Sequence, residues 1–145
     1  MLRCGAILWG ECPNVDRVLK AQKRVLRAML GLSHRTSCKP IFKQLRILTV
    51  SSLYIFNSVL WVRKHRNGFT FSDEIYSHNT RRQKDVHSVK YNLGVFKRSP
   101  KIKCERLYNK VPSDIKKIDS FYRFKSVFKE YLLDSAFYKV SDFLD

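Results

Sequence analysis

Arg17, Lys20, Lys23, Arg24 and Arg27 follow one another at one- and three-residue steps, and a second basic group, Arg81, Arg82 and Lys84, lies downstream. Side chains of this type carry positive charge at neutral pH. They neutralise phosphates, and spaced along a helix they track a polyanion's backbone without reading its bases. Cys4, Cys12, His34 and Cys38 are the one set that could hold zinc. Seven residues separate the first pair where zinc sites use two to four, so Cys38, just before Pro40, reads more simply as a small buried residue. For His65, His78 and His87 the sequence alone supports no nucleophilic arrangement with a Ser or Cys, and there is no Gly-rich phosphate loop. These residues call for no metal and no cofactor.

The net charge is +17, with 29 Lys and Arg against 12 Asp and Glu. Residues 1–110 hold 23 basic and 6 acidic side chains, whereas 111–145 hold 6 of each. The first three quarters of the chain therefore carry the whole excess, which suits a nucleic-acid partner, and the neutral last quarter reads as packing. The 44% apolar content, with 10 Phe, 7 Tyr and 2 Trp, is enough for a real core. Four cysteines are too few for a disulfide scaffold and suggest a reducing compartment. The apolar stretch Cys4–Trp9 is short for a signal peptide, and the run Leu48–Val62 is short of the roughly 20 residues of a spanning helix. The expected location is the nucleus or cytoplasm, without membrane insertion.

The elements that must position the cations are helices. Asn14 as N-cap, Asp16 in the first turn and Gly31 as a stop bracket an amphipathic helix. Val15, Val18, Leu19, Val25, Leu26, Met29 and Leu30 form its apolar face and the five cations its other faces. Beyond Asp16 that helix has no acid to offset them, which turns the group toward phosphate. Pro40 opens a short helix through Ile47, with Ile41, Phe42, Leu45 and Leu48 inward. Thr49 caps a helix apolar nearly all round, from about 50 to 65, expected to be central and buried. Arg63, Lys64 and Arg66 sit where a helix C-terminus favours cations. Periodicity then fails from Phe69 to Ser99, where Phe69-Thr70-Phe71 and Val89-Lys90-Tyr91 are candidate short strands. Ser99-Pro100 restarts a helix that ends before Pro112, and Ser113 or Asp114 opens a short turn. Ser120 caps a last amphipathic helix carrying Phe121, Phe124, Val127, Phe128, Tyr131 and Leu132. Tyr54, Trp61, Phe124 and Phe128 fall at core spacing and read as packing rather than base stacking.

In this order the segments resemble the thumb and post-thumb region of jockey-like non-LTR retrotransposon reverse transcriptases. The resemblance rests on Leu2 to Gly10 with Leu19 to Arg27, on Cys38 to Leu48, on Leu53-Tyr54, on Asn79-Thr80-Arg81, on Leu107 to Pro112 and on Phe124 to Leu133. It spans nearly the whole chain collinearly. Cys4 departs from it, standing where that family usually has Tyr, and Met1 cuts into a segment that would continue upstream. The resemblance implies a polymerase whose palm holds two metal ions on carboxylates, commonly an Asp-Asp pair. This sequence has no Asp-Asp, and its one pair of adjacent acids is Asp73-Glu74. The chain is therefore expected to be a C-terminal fragment and not an enzyme by itself.

The expected architecture is mainly α, a small bundle around the helix at about 50–65. Its parts are a thumb-like segment at 1–32, a central helical part at 33–68, an irregular basic connector at 69–99 and a C-terminal helical part at 100–145, one compact unit cut from a larger polyprotein. The expected partners are an RNA–DNA hybrid, DNA or RNA, bound without sequence preference through Arg17, Lys20, Lys23, Arg24, Arg27, Arg81, Arg82 and Lys84, together with the missing palm. The competing expectation is a packing remnant that self-associates through apolar surface once covered by the lost domains. A host-adopted nucleic-acid-binding protein would have the same signature as the first.

Overall fold

A computed structural model describes residues 5–10, 12–75, 83–87, 94 and 99–145. Val89–Tyr91, Arg81, Arg82 and Cys4 lie outside the described residues. Nine α-helices are described: α1 (Ala6–Trp9), α2 (Val15–Met29), α3 (Lys39–Gln44), α4 (Val50–Lys64), α5 (Ser72–Ile75), α6 (Pro100–Lys110), α7 (Ser113–Lys116), α8 (Phe121–Ser135) and α9 (Ser141–Leu144). The chain is mainly helical, as its periodicity predicts. Among the described residues there is no strand, and Phe71 and Val86 form an isolated antiparallel bridge.

α4 is the axis. Thr49 caps it through its hydroxyl, which accepts from Ser52 N–H at 3.0 Å. With Val50, Tyr54, Ile55, Phe56, Val59 and Val62 all buried, it has few outward faces and packs against α1, α2, α6 and α8. Each of its large apolar side chains contributes about 1.5–3 kcal/mol by leaving water. Phe128 of α8 stacks on Phe56 and Phe124 with centroids 6.2 and 5.9 Å apart, and Tyr108 of α6 meets Phe71 edge-on at 5.9 Å. Gly10, in the turn after α1, is required by close approach: a Cβ there would lie 2.0 Å from the Tyr54 ring.

Described residues of the basic connector enter this core. Phe69, Phe71 and Val86 are buried in it. The Asn109 side chain on α6 fastens the connector as a strand would, its Oδ1 accepting from Val86 N–H at 2.8 Å and its Nδ2 donating to Val86 C=O at 2.9 Å. Beside it the buried Lys116 ammonium donates to Asp85 Oδ1 and to Asn109 C=O. Periodicity misses the burial of Phe69, Phe71 and Val86 because it comes from contacts distant in sequence.

A second, smaller core joins Leu19 and Leu26 of α2 to Cys38, Ile41, Phe42 and Ala136. α2 ends as Gly31 predicts, with φ 62° at that residue and Leu32 N–H returning to Arg27 C=O. Asn14 makes no side-chain cap bond. The apolar face of α2 is narrower than the sequence predicts: Val25, Met29 and Leu30 are 56%, 70% and 44% exposed. The helix rests on the edge of the bundle and touches it along one stripe. Among the described residues no helix is long and apolar enough to cross a membrane.

Candidate nucleic-acid interface

Successive residues step about 100° around a helix, so the run Gln22-Lys23-Arg24 points three ways. Gln22 faces inward and clips α2 to the start of α4, its Nε2 donating to Leu48 C=O at 2.9 Å and its Oε1 accepting from Val50 N–H at 3.1 Å. Lys23 lies along the flank with its ammonium 3.5 Å from the centroid of the Tyr138 ring. Arg24 points to solvent. Three adjacent polar residues thus orient the helix, edge it and charge its outer face.

The five α2 cations divide accordingly. Arg17, Lys20 and Arg24 are exposed, fall within about 60° of one another around the helix, and pair with no carboxylate among the described residues. Arg27 is half-buried and its guanidinium donates twice to Thr36 C=O, at 3.0 and 2.8 Å, tying down the turn that leads to α3. Lys23 is partly desolvated, and that burial, ahead of any neighbouring charge, lowers its pKa. Burial likewise raises the pKa of Tyr138, with Cys38 the next cause. Lys84 reaches Asp119 at 3.6 Å, a contact to a largely exposed carboxylate that is worth little. Arg81 and Arg82 lie outside the described residues.

Other basic side chains are structural. The Arg63 guanidinium lies 5.0 Å from the Phe124 ring centroid and donates to Ile118 C=O at 2.5 Å, joining α4 to the turn before α8. Arg66 pairs with Asp73 at 3.0 Å and lies over the Phe71 ring. Asp73 and Glu74 themselves open α5, Glu74 accepting from Phe71 N–H at 3.4 Å. The Cys38 thiol is buried, 3.9 Å from the carbonyls of Lys23 and Thr36, while His34 and Cys12 are exposed. No cluster of three or more His, Cys, Asp or Glu side chains placed to hold a metal occurs among the described residues.

Two open hollows flank the seam between α4 and α8. One, of about 870 Å³, lies beside α1 and is lined by Asn57, Trp61, Lys64, Phe121, Tyr122 and Lys125, among others. The second, of about 500 Å³, is lined in part by Gln22, Arg46, Leu53, Phe56, Lys125 and Lys129. Spacing cannot reveal these hollows, because they form between helices about 60 residues apart in the chain. Tyr54, Phe124 and Phe128 are fully buried, as core spacing predicts, whereas Trp61 is half-buried and faces the first hollow. Comparison of the chain with protein-family models, with curated proteins and with solved structures found no match.

Proposed function

We propose that this chain is the thumb and post-thumb part of a jockey-like non-LTR reverse transcriptase, acting as a nucleic-acid clamp that is not itself an enzyme. The observation that carries the binding reading is the outer face of α2, where Arg17, Lys20 and Arg24 stand exposed on a helix clipped to the start of α4 by Gln22. A rigid cationic face of this kind meets the phosphates of a duplex and is indifferent to sequence, as a clamp on a passing template–primer must be. The family assignment rests on the collinear segments of the sequence. Two of them, Gln22-Lys23-Arg24 and Leu107 to Pro112, supply Gln22 and Asn109, which fasten the helices and the connector. The non-catalytic reading rests on the absence of an Asp-Asp pair from the sequence.

The test is binding to an RNA–DNA hybrid across a salt series. Neutralising Arg17, Lys20 and Arg24 together to Gln should weaken binding and flatten the slope of log affinity against log salt by about 3, close to one per phosphate lost. Lys23→Gln and Arg27→Gln should lower stability more than binding. An unchanged slope in the triple variant would sink the clamp.

One observation favours a second reading. Val25, Met29, Leu30 and Leu32 leave an exposed apolar edge on and just beyond α2. Such an edge suits packing against the palm of the parent enzyme, or self-association in its absence.

A further inference from the structure

The seam between α4 and α8 has the parts of a site for unpaired bases. Tyr122 is 83% exposed at the rim, with Phe121 edge-on to it at 6.1 Å. Trp61 forms part of the floor and is held by Phe69 edge-on at 5.3 Å and by His65 at 5.4 Å, so its ring is preorganised. Asn57 lines the same hollow, and its buried amide nitrogen has no hydrogen-bond partner. Lys64 and Lys125 stand at the walls, and Lys125 also lines the second hollow, where Lys129 continues the line of charge along α8. No carboxylate lines either hollow among the described residues, and Arg46 at the far end is offset by its ion pair with Glu130.

We infer that this groove binds single-stranded nucleic acid, stacking an unpaired base against Tyr122 and Trp61 while Lys64, Lys125 and Lys129 meet the phosphates. Charge complementarity selects a polyanion, and the aromatic lining selects among polyanions. Base faces are hidden inside a duplex and are free only in a single strand, where stacking on aromatic side chains combines with a basic track. The Asn57 amide adds a group able to meet a base edge once rotated. This surface is distinct from the outer face of α2, so the two readings stand or fall separately.

The experiment is fluorescence anisotropy with three labelled probes: an oligothymidylate of about ten nucleotides, an abasic strand of the same length, and a duplex. Tyr122→Ala, which removes an exposed ring, should keep the helix content by circular dichroism. It should weaken binding of the single strand about tenfold and leave duplex affinity unchanged, with Tyr122→Phe restoring the loss. The abasic strand should bind the wild-type chain about tenfold more weakly than the oligothymidylate. Equal binding by wild type and Tyr122→Ala, or equal binding of the abasic strand, would overturn the proposal. So would a Tyr122→Ala variant that changes only self-association in sedimentation, since the groove would then be a protein interface. If Tyr122→Ala lowers single-strand affinity while the Arg17, Lys20 and Arg24 variant leaves duplex binding intact, the groove stands and the α2 clamp fails.

Discussion

At the scale of single residues, neighbouring polar side chains of α2 serve different ends. Gln22 satisfies a backbone acceptor and a backbone donor at the entrance to α4. Its replacement by Ala leaves both partly buried groups unpaired, and should cost about 1–3 kcal/mol in urea unfolding without altering the salt slope of binding. A loss of binding with stability intact would instead make Gln22 a contact residue. Tyr138 offers a pH test. Its pKa in the fold is raised above the ordinary 10.0 by burial. Above pH 10.0 the unfolded chain sheds that proton while the folded chain still holds it, so stability falls as pH rises through this window. Lys23 works in the opposite sense, because its lowered pKa lets the folded chain lose a proton before the unfolded one does. Tyr138→Phe should therefore lose less stability than wild type between neutral pH and a pH above 10.0, measured as the shift in urea midpoint. Equal alkaline losses would contradict the raised Tyr138 pKa.

At the scale of the element, α4 carries both well-made and unmade polar contacts. The Thr49 hydroxyl caps the helix and also donates to Phe137 C=O at 2.5 Å, and Ser51 Oγ donates to Tyr138 C=O at 2.7 Å. The start of the helix is thus held on one side by α2 and on the other by the segment after α8. The Ser58 hydroxyl, by contrast, is buried without a hydrogen-bond partner. Opposite outcomes are expected from two small changes in this one helix. Thr49→Ala should destabilise by about 1–2 kcal/mol through loss of the cap, whereas Ser58→Ala should stabilise by roughly 1 kcal/mol. Thermal or urea unfolding of both variants measures this, and a destabilised Ser58→Ala would mean that its hydroxyl does find a partner.

At the scale of the whole molecule, charge and apolar surface lie side by side on α2. Arg17, Lys20 and Arg24 line one side of the helix, and Val25 and Met29 lie on another. The two surfaces answer differently to salt, which weakens phosphate contacts and strengthens apolar association. Val25→Ser with Met29→Ser should reduce self-association in sedimentation at high salt and leave the salt slope of nucleic-acid binding unchanged. Association that persists in this variant would place the self-contact elsewhere.

The helices were legible in the linear chain wherever the cause is local. Thr49 and Ser120 cap, Gly31 stops α2, Pro100 restarts a helix, and the apolar run after Thr49 becomes the buried axis. The cationic character of α2 is equally local, since spacing alone puts Arg17, Lys20 and Arg24 on one face. Which cations stay free was not legible. Lys23 and Arg27 are spaced like the others, and they are engaged because Tyr138 and the Thr36 carbonyl arrive beside them through folding. The exposure of Val25 and Met29, the burial of Phe69, Phe71 and Val86, and the groove between α4 and α8 share that origin. Each depends on which elements meet. Meeting is decided by packing across long sequence separations, to which periodicity, capping and charge spacing are blind.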